Sequence, residues 1–223
     1  NEKRVQALGG AKNHLLVLPD ANIQMTANNV AASMTGCAGQ RCMAASVLVA
    51  VGDCEPVIDA IIEEANTIIP GKNLGAVISQ ESKDRIEQYI SNAENQGATI
   101  RLDGRNTLVN GKEQGFYVGP TIIDQVNPDM AIAKDEVFGP VLSIIRCNTI
   151  DEAIAIQNQS FYGNGASVFT QSGQHARYIT KRLQAGMLGI NIGVPVPRDP
   201  FSFGGWGNSR FGVGDITGKS LIS

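Results

Sequence analysis

Gly39-Gln40-Arg41-Cys42-Met43-Ala44 is the segment of this 223-residue sequence whose residue types come closest to a reactive centre. A thiol on a glycine-rich turn, flanked by a cation and by uncommitted backbone N–H groups, gains acidity, and the thiolate is the nucleophilic form. The same N–H groups suit a developing oxyanion. Free cysteines are also among the most often buried residues, so a sealed structural Cys42 beside a surface Arg41 fits the segment as well. Cys37, five residues earlier, reads as a buried thiol, with a reversible disulfide under oxidation as the alternative. His14 follows a Gly-Gly turn and His175 sits on a polar helix, so both read as ordinary residues. No Cys-x-x-Cys pair and no Cys/His set has zinc spacing, and four cysteines are too few for a disulfide framework, which favours a reducing compartment and no metal.

A loop of this kind presents its sulfur only if ordered elements hold both ends. Leu15-Leu16-Val17-Leu18 reads as a short buried strand, and Pro19-Asp20-Ala21-Asn22 supplies turn and N-cap residues for a helix from Ile23 to Met34 that stops at Thr35-Gly36. The chain from Gly36 to Ala44 then enters an apolar strand, Ser46 to Val51, so the candidate thiol lies at an element boundary. Further helices are predicted over 55–69, 82–96, 149–157 and 174–183, and strands over 98–102, 141–147, 166–170 and 189–192. A polar, hairpin-like excursion is expected at 103–115, extended chain at 116–126, and ordered loop at 195–214, where Pro, Gly, Phe and Trp concentrate. Asn191, at the end of the last strand, suits a turn or hydrogen-bonding role. Alternation of strand and helix predicts an α/β fold, a three-layer α/β/α arrangement with a mostly parallel sheet.

The composition, 43% hydrophobic and 17% charged, is that of a globular domain. A net charge of −3 with scattered Lys and Arg provides no basic stripe for nucleic acid or anionic lipid. The longest apolar runs fall far short of the ~20 residues that span a bilayer. A small-molecule partner is the expectation that remains.

Four blocks in register carry a resemblance to a known family. Gly39-Gln40-x-Cys42-x-Ala44 is similar to the nucleophile loop of the aldehyde dehydrogenase superfamily, and Glu136-Val137-Phe138-Gly139-Pro140-Val141 to its Glu-x-Phe-Gly-Pro block. Tyr162-Gly163…Ala166-Ser167-Val168-Phe169 and Phe203-Gly204-Gly205 follow in the family's order. The resemblance implies that Cys42 attacks an aldehyde, that Glu136 binds the nicotinamide-ribose hydroxyls of NAD, and that Phe138 packs near the nicotinamide ring. It implies that Phe203 lines the aldehyde pocket, although Phe201, Phe203, Trp206 and Phe211 also fit a packing cluster. Hydrolytic members carry Glu-Leu-Gly-Gly where this chain reads Ala7-Leu8-Gly9-Gly10, and Ala7 cannot activate water. A thiol with a pKa of about 8.5 is partly ionised at neutral pH, so coenzyme A is the expected acyl acceptor.

The string Ala7-Leu8-Gly9-Gly10-Ala11-Lys12-Asn13-His14 resembles the branch that oxidises methylmalonate or malonate semialdehyde with NAD and coenzyme A, giving propionyl-CoA or acetyl-CoA and CO2. Arg41 is then the expected partner of the substrate carboxylate, because guanidinium binds carboxylate bidentately. A hydrolytic enzyme for another semialdehyde and a non-catalytic, partner-binding descendant of the fold are the alternatives. The resemblance also implies an organisation. Residues 1–10 close a coenzyme-binding domain, 11–194 form the nucleophile-bearing domain, and 195–223 return toward the coenzyme-binding domain, with the dinucleotide-binding domain and an oligomerisation strand missing. On that expectation the fragment alone is inactive and the full-length protein is a homo-oligomer, a homotetramer, of bacterial cytoplasm or the mitochondrial matrix.

Overall fold

Leu15, Leu16 and Val17 are all fully buried, so the strand that holds them has no solvent face and must be covered on both sides. That strand is β2 (Asn13–Val17), an interior strand of the sheet. The computed structural model describes residues 5–198 and 201–212, and the parts of the 1–10 and 195–223 expectations that fall on 1–4, 199–200 and 213–223 lie outside the described residues.

In chain order the elements are β1 (Gln6–Leu8), β2, α1 (Ile23–Thr35), β3 (Ala45–Val51), α2 (Glu55–Asn66), α3 (Gln80–Asn95), β4 (Thr99–Leu102), β5 (Thr121–Asp124), α4 (Ala131–Lys134), β6 (Val141–Cys147), α5 (Ile150–Asn158), β7 (Tyr162–Gly163), β8 (Gly165–Phe169), α6 (Gly173–Thr180), β9 (Met187–Ile190), β10 (Trp206–Gly207) and β11 (Arg210–Gly212). Seven of these strands form one sheet in the order β4-β5-β6-β3-β2-β8-β9, parallel throughout except for the β4–β5 edge pair.

The period-2 alternation of the strands splits the core into two layers. Leu16, Val47, Val49 and Val168 face Ile86 and Ile90 of α3, Ile154 of α5 and Ile179 of α6. Leu15, Val17, Leu48 and Phe169 face Val30 and Met34 of α1 and Ile58 and Ile61 of α2. The expected three-layer α/β/α architecture is the one observed. Asn22, Ser79, Thr149 and Ser172 cap α1, α3, α5 and α6, each accepting a backbone N–H three residues on.

Two expectations need correction. The 103–115 segment is no hairpin: it is a series of turns closed where Gly119 N–H donates to the Gly104 carbonyl at 2.8 Å. The 195–214 segment is not loop alone, because β10 pairs with β7 and β11 pairs with β1, both antiparallel. Ladders of two and three residues are too short to leave a periodic signature. Asn191 behaves as expected: with φ 55° it turns the chain out of β9, and its side chain brackets Thr170, donating to the carbonyl and accepting from the N–H.

Because β2, β3, β6 and β8 are parallel and adjacent, the residues just before them collect at one end of the sheet. These are 10–12, 36–44, 135–140 and 164. The sequence-predicted chemistry of Cys42 and Glu136 therefore meets at the amino ends of the strands, opposite to the carboxyl-end crevice usual for open α/β sheets.

Candidate active site

Cys42 is exposed at this amino-end mouth. Its own carbonyl is held twice, by Asn13 Nδ2 at 2.8 Å and by Asn164 Nδ2 at 2.9 Å. Asn13 also donates to the Ala44 carbonyl at 2.7 Å and accepts from the Gly165 N–H at 3.0 Å. One buried amide thus ties the start of β3 and the start of β8 to β2, and fixes the backbone on which the thiol stands. Among the described residues the Cys42 N–H makes no hydrogen bond, which leaves it free for an oxyanion.

The loop before Cys42 is bent by an unusual backbone. Cys37 (φ 55°), Ala38 (φ 54°) and Gly39 (φ 69°) are successively left-handed. That conformation costs L-residues free energy and persists where the surroundings demand it. The demand is visible at Gly39, where a Cβ would lie 2.0 Å from the Gly139 carbonyl oxygen. The Cys42 loop therefore rests backbone-on-backbone against the Glu136–Pro140 loop. Gln40 pins the other side, accepting from Ile78 N–H at 2.9 Å and donating to the Cys37 carbonyl at 3.2 Å. Cys37 is exposed, not buried as expected, because the left-handed turn carries it outward.

Arg41 lies back over the end of α1. Its Nη2 donates to the Ser33 carbonyl at 3.1 Å, and its guanidinium fills the space beside Gly36, where a Cβ would come within 2.5 Å of Nη2. Its Nε is buried without a partner among the described residues.

Glu136 is half-buried. Burial pushes its carboxyl above the ordinary range, opposed by a hydrogen bond from Ala11 N–H and by the charges of Lys12 and Arg85. Phe138 follows at φ 56°, 39% exposed, a strained position for an aromatic residue. Arg85 holds this loop through the Val137 carbonyl at 2.8 Å. An open-sided carboxylate beside an exposed ring suits a ligand that joins a diol to a flat aromatic group.

Phe203 is half-buried against the core layer that contains Met43, Met187 and Val194. Phe201, Trp206 and Phe211 are exposed, so the four aromatics do not form one packing cluster.

Cys54 and Cys147 lie at the opposite, carboxyl end of the sheet. Burial pushes Cys54 and Cys147 up to about 11, so both stay protonated at neutral pH. His14 is buried with Nδ1 2.9 Å from the Lys12 carbonyl, and burial lowers it to about 4, so its ring is neutral. No group of three or more His, Cys, Asp and Glu is placed to hold a metal among the described residues.

Sequence reasoning missed Lys12, Asn13 and Asn164 as working residues. A signal existed for two of them: Lys12-Asn13-His14 puts three polar residues directly before the all-apolar run Leu15 to Leu18, and all three are buried.

The sequence matches the aldehyde dehydrogenase family over residues 1–222, and the chain belongs to that family. It is 46% identical over 218 residues to malonate-semialdehyde dehydrogenase 1 of Geobacillus thermodenitrificans, covering 94% of this chain and 45% of that protein. Among solved structures, a putative methylmalonate-semialdehyde dehydrogenase from Sinorhizobium meliloti 1021 complexed with NAD matches with a TM-score of 0.92 at 39% identity, over 96% of this chain and 45% of the other. Methylmalonate-semialdehyde dehydrogenase from Oceanimonas doudoroffii matches with a TM-score of 0.91 at 43% identity, over 96% and 45%. The chain spans about half the length of these relatives.

Proposed function

We infer that the full-length protein containing this chain is a CoA-acylating, NAD-dependent dehydrogenase of malonate or methylmalonate semialdehyde, with Cys42 as nucleophile. The observation that carries this reading is the exposed Cys42 on a clamped backbone, in a loop packed directly against the loop of Glu136 and Phe138. The names of the similar proteins support the substrate class.

The Cys42 thiolate adds to the aldehyde carbon, and the carbonyl oxygen takes up the electron pair beside the free Cys42 N–H. NAD, when bound, supplies the hydride acceptor, with Glu136 holding its ribose diol and Phe138 packing near the nicotinamide. Cys42 then carries a thioester with a β-carboxylate. Loss of CO2 leaves its electron pair on the thioester carbonyl, and a proton from water completes the acyl group. Arg41 is the residue proposed to receive the substrate carboxylate, since it is partly exposed beside Cys42 and its buried Nε lacks a partner among the described residues. Coenzyme A thiolate attacks the Cys42 thioester and the Cys42 thiolate departs. Ala7 has only a methyl group, so no carboxylate at that position activates water for hydrolysis.

The test is a product assay on the full-length protein with and without coenzyme A. Acetyl-CoA or propionyl-CoA formed with coenzyme A, and little more than one turnover without it, is the expected result. Rapid release of free acid in its absence assigns the chain to the hydrolytic class.

A further inference from the structure

Lys12 stands immediately before β2, one residue after the Ala11 N–H that binds Glu136, and is only 3% exposed. Among the described residues no hydrogen bond and no ion pair within 4 Å satisfies its ammonium. A covered cation with no direct partner is costly, so it keeps its proton only below neutrality and only with an opposite charge nearby. The charged and titratable groups that act on it are Asp135 and Glu136 of the facing loop and the neutral His14 two residues on in β2, while Arg85 of α3 and Tyr162 of β7 stand beside Glu136 and Tyr89 of α3 beside Asp135. Most are already engaged. Tyr89 donates to the exposed Asp135 at 3.0 Å, and Arg85 donates to the Val137 carbonyl. Glu136 is the half-buried acid with only a backbone N–H on it, and Gly10 leaves it room, since a Cβ there would lie 3.0 Å from its Oε2.

We propose that Lys12 is a positioning residue, whose buried ammonium keeps the Glu136 carboxylate ionised at the lip of the site and thereby sets the pH range over which the site holds a dinucleotide diol. This rests on the reading of Glu136 as the diol-binding carboxylate. Lys12 acts through space and not through contact, which is why a lysine serves although no ion pair forms. Two further observations agree. Burial lowers Lys12 to about 7 against the pull of Asp135 and Glu136, so the ammonium is charged throughout the acidic range where Glu136 needs it. Burial raises the Glu136 carboxyl, so the acid has need of a counter-charge.

The experiment is NAD binding by calorimetry to the full-length protein between pH 5 and 8, for wild type, Lys12→Met, Lys12→Arg and Glu136→Gln, with Tm for each. In Lys12→Met the midpoint at which affinity falls on acidification moves up by about half to one pH unit, weakening Kd near pH 5.5 by about 3–10-fold. The affinities converge by pH 8. Tm is unchanged or higher, because a desolvated ammonium has been removed; a merely structural lysine lowers Tm and leaves the midpoint alone. Lys12→Arg keeps the wild-type midpoint. A Lys12→Met profile superimposable on wild type overturns the proposal. Glu136→Gln weakens binding and flattens the profile. Should Glu136→Gln bind NAD as wild type does, the reading of Glu136 fails instead. If Lys12→Met does not fold, Lys12→Gln is titrated in its place and the same outcomes decide.

Discussion

The two ends of the one parallel sheet are built on opposite principles. At the carboxyl end, Asp124 closes β5 with its side chain 3% exposed, and Arg101 and Arg146 share it with Glu55, at N–O distances of 2.6–3.2 Å. Each of these four charges meets an opposite one, and α2, β4, β5 and β6 are tied by the result. At the amino end, Lys12 lacks a direct partner among the described residues, as does Arg41 Nε; the Cys42 N–H is uncommitted, and Cys37, Ala38 and Phe138 are left-handed. A satisfied network rigidifies; an unsatisfied one is held in readiness for a ligand. The difference teaches where the molecule keeps its stability and where it keeps its reactivity.

The sharpest way to break this contrast is at Cys42. Cys42→Ala in the full-length protein is expected to lower kcat by at least about 10³-fold while leaving Tm within a degree or two, since the side chain is exposed. A large loss of Tm would mean that the thiol is structural. Gly39→Ala comes next. Its φ of 69° and the 2.0 Å approach to Gly139 leave a methyl nowhere to go, so the two loops must separate. We expect kcat/KM to fall by about 10²-fold, with a destabilisation of roughly 2–4 kcal/mol in urea unfolding. Arg41→Leu should raise KM for the semialdehyde about 10-fold or more and change KM for an uncharged aldehyde of similar size far less. Equal effects on both would leave Arg41 only its packing beside Gly36 and Ser33.

Asp124→Asn probes the other end and should touch turnover least. Burial pushes the Asp124 carboxyl up, yet hydrogen bonds from Arg146 and the Gln125 N–H hold it below the ordinary carboxylate range. Its contribution is therefore present above the unfolded value of about 3.9 and is lost as pH falls through the lower folded value. At pH 7 the variant should be less stable by about 2–3 kcal/mol, discounted because both arginines are partly solvated and keep Glu55. That gap should close when Tm is followed below pH 4, and kcat should change less than twofold. A collapse of kcat would show that the two ends are coupled.

Much of this division was legible in the sequence, and the reason differs by residue. Cys42 and Glu136 sit in local strings, Gly39-Gln40-Arg41-Cys42 and Glu136-Val137-Phe138-Gly139-Pro140, so a few adjacent letters carry them. The parallel sheet followed from the alternation of apolar runs with helical spacing. What was hidden depends on adjacency in space. Asn13 and Gly165 are 152 residues apart, and only the pairing of β2 with β8 makes one the partner of the other. The strand expected at Leu15 begins at Asn13, because buried Asn13 and His14 satisfy their polar groups inside the fold and so escape a hydrophobicity pattern. Lys12 was passed over for a related reason: a lysine is read as solvated until a structure shows it covered.

The most direct measurement is mass spectrometry of the full-length protein incubated with malonate semialdehyde and NAD but no coenzyme A. An acyl group on the peptide that contains Cys42, discharged on adding coenzyme A, is the predicted result. An unmodified Cys42 peptide alongside NADH formation would contradict it, because oxidation would then be proceeding without that sulfur.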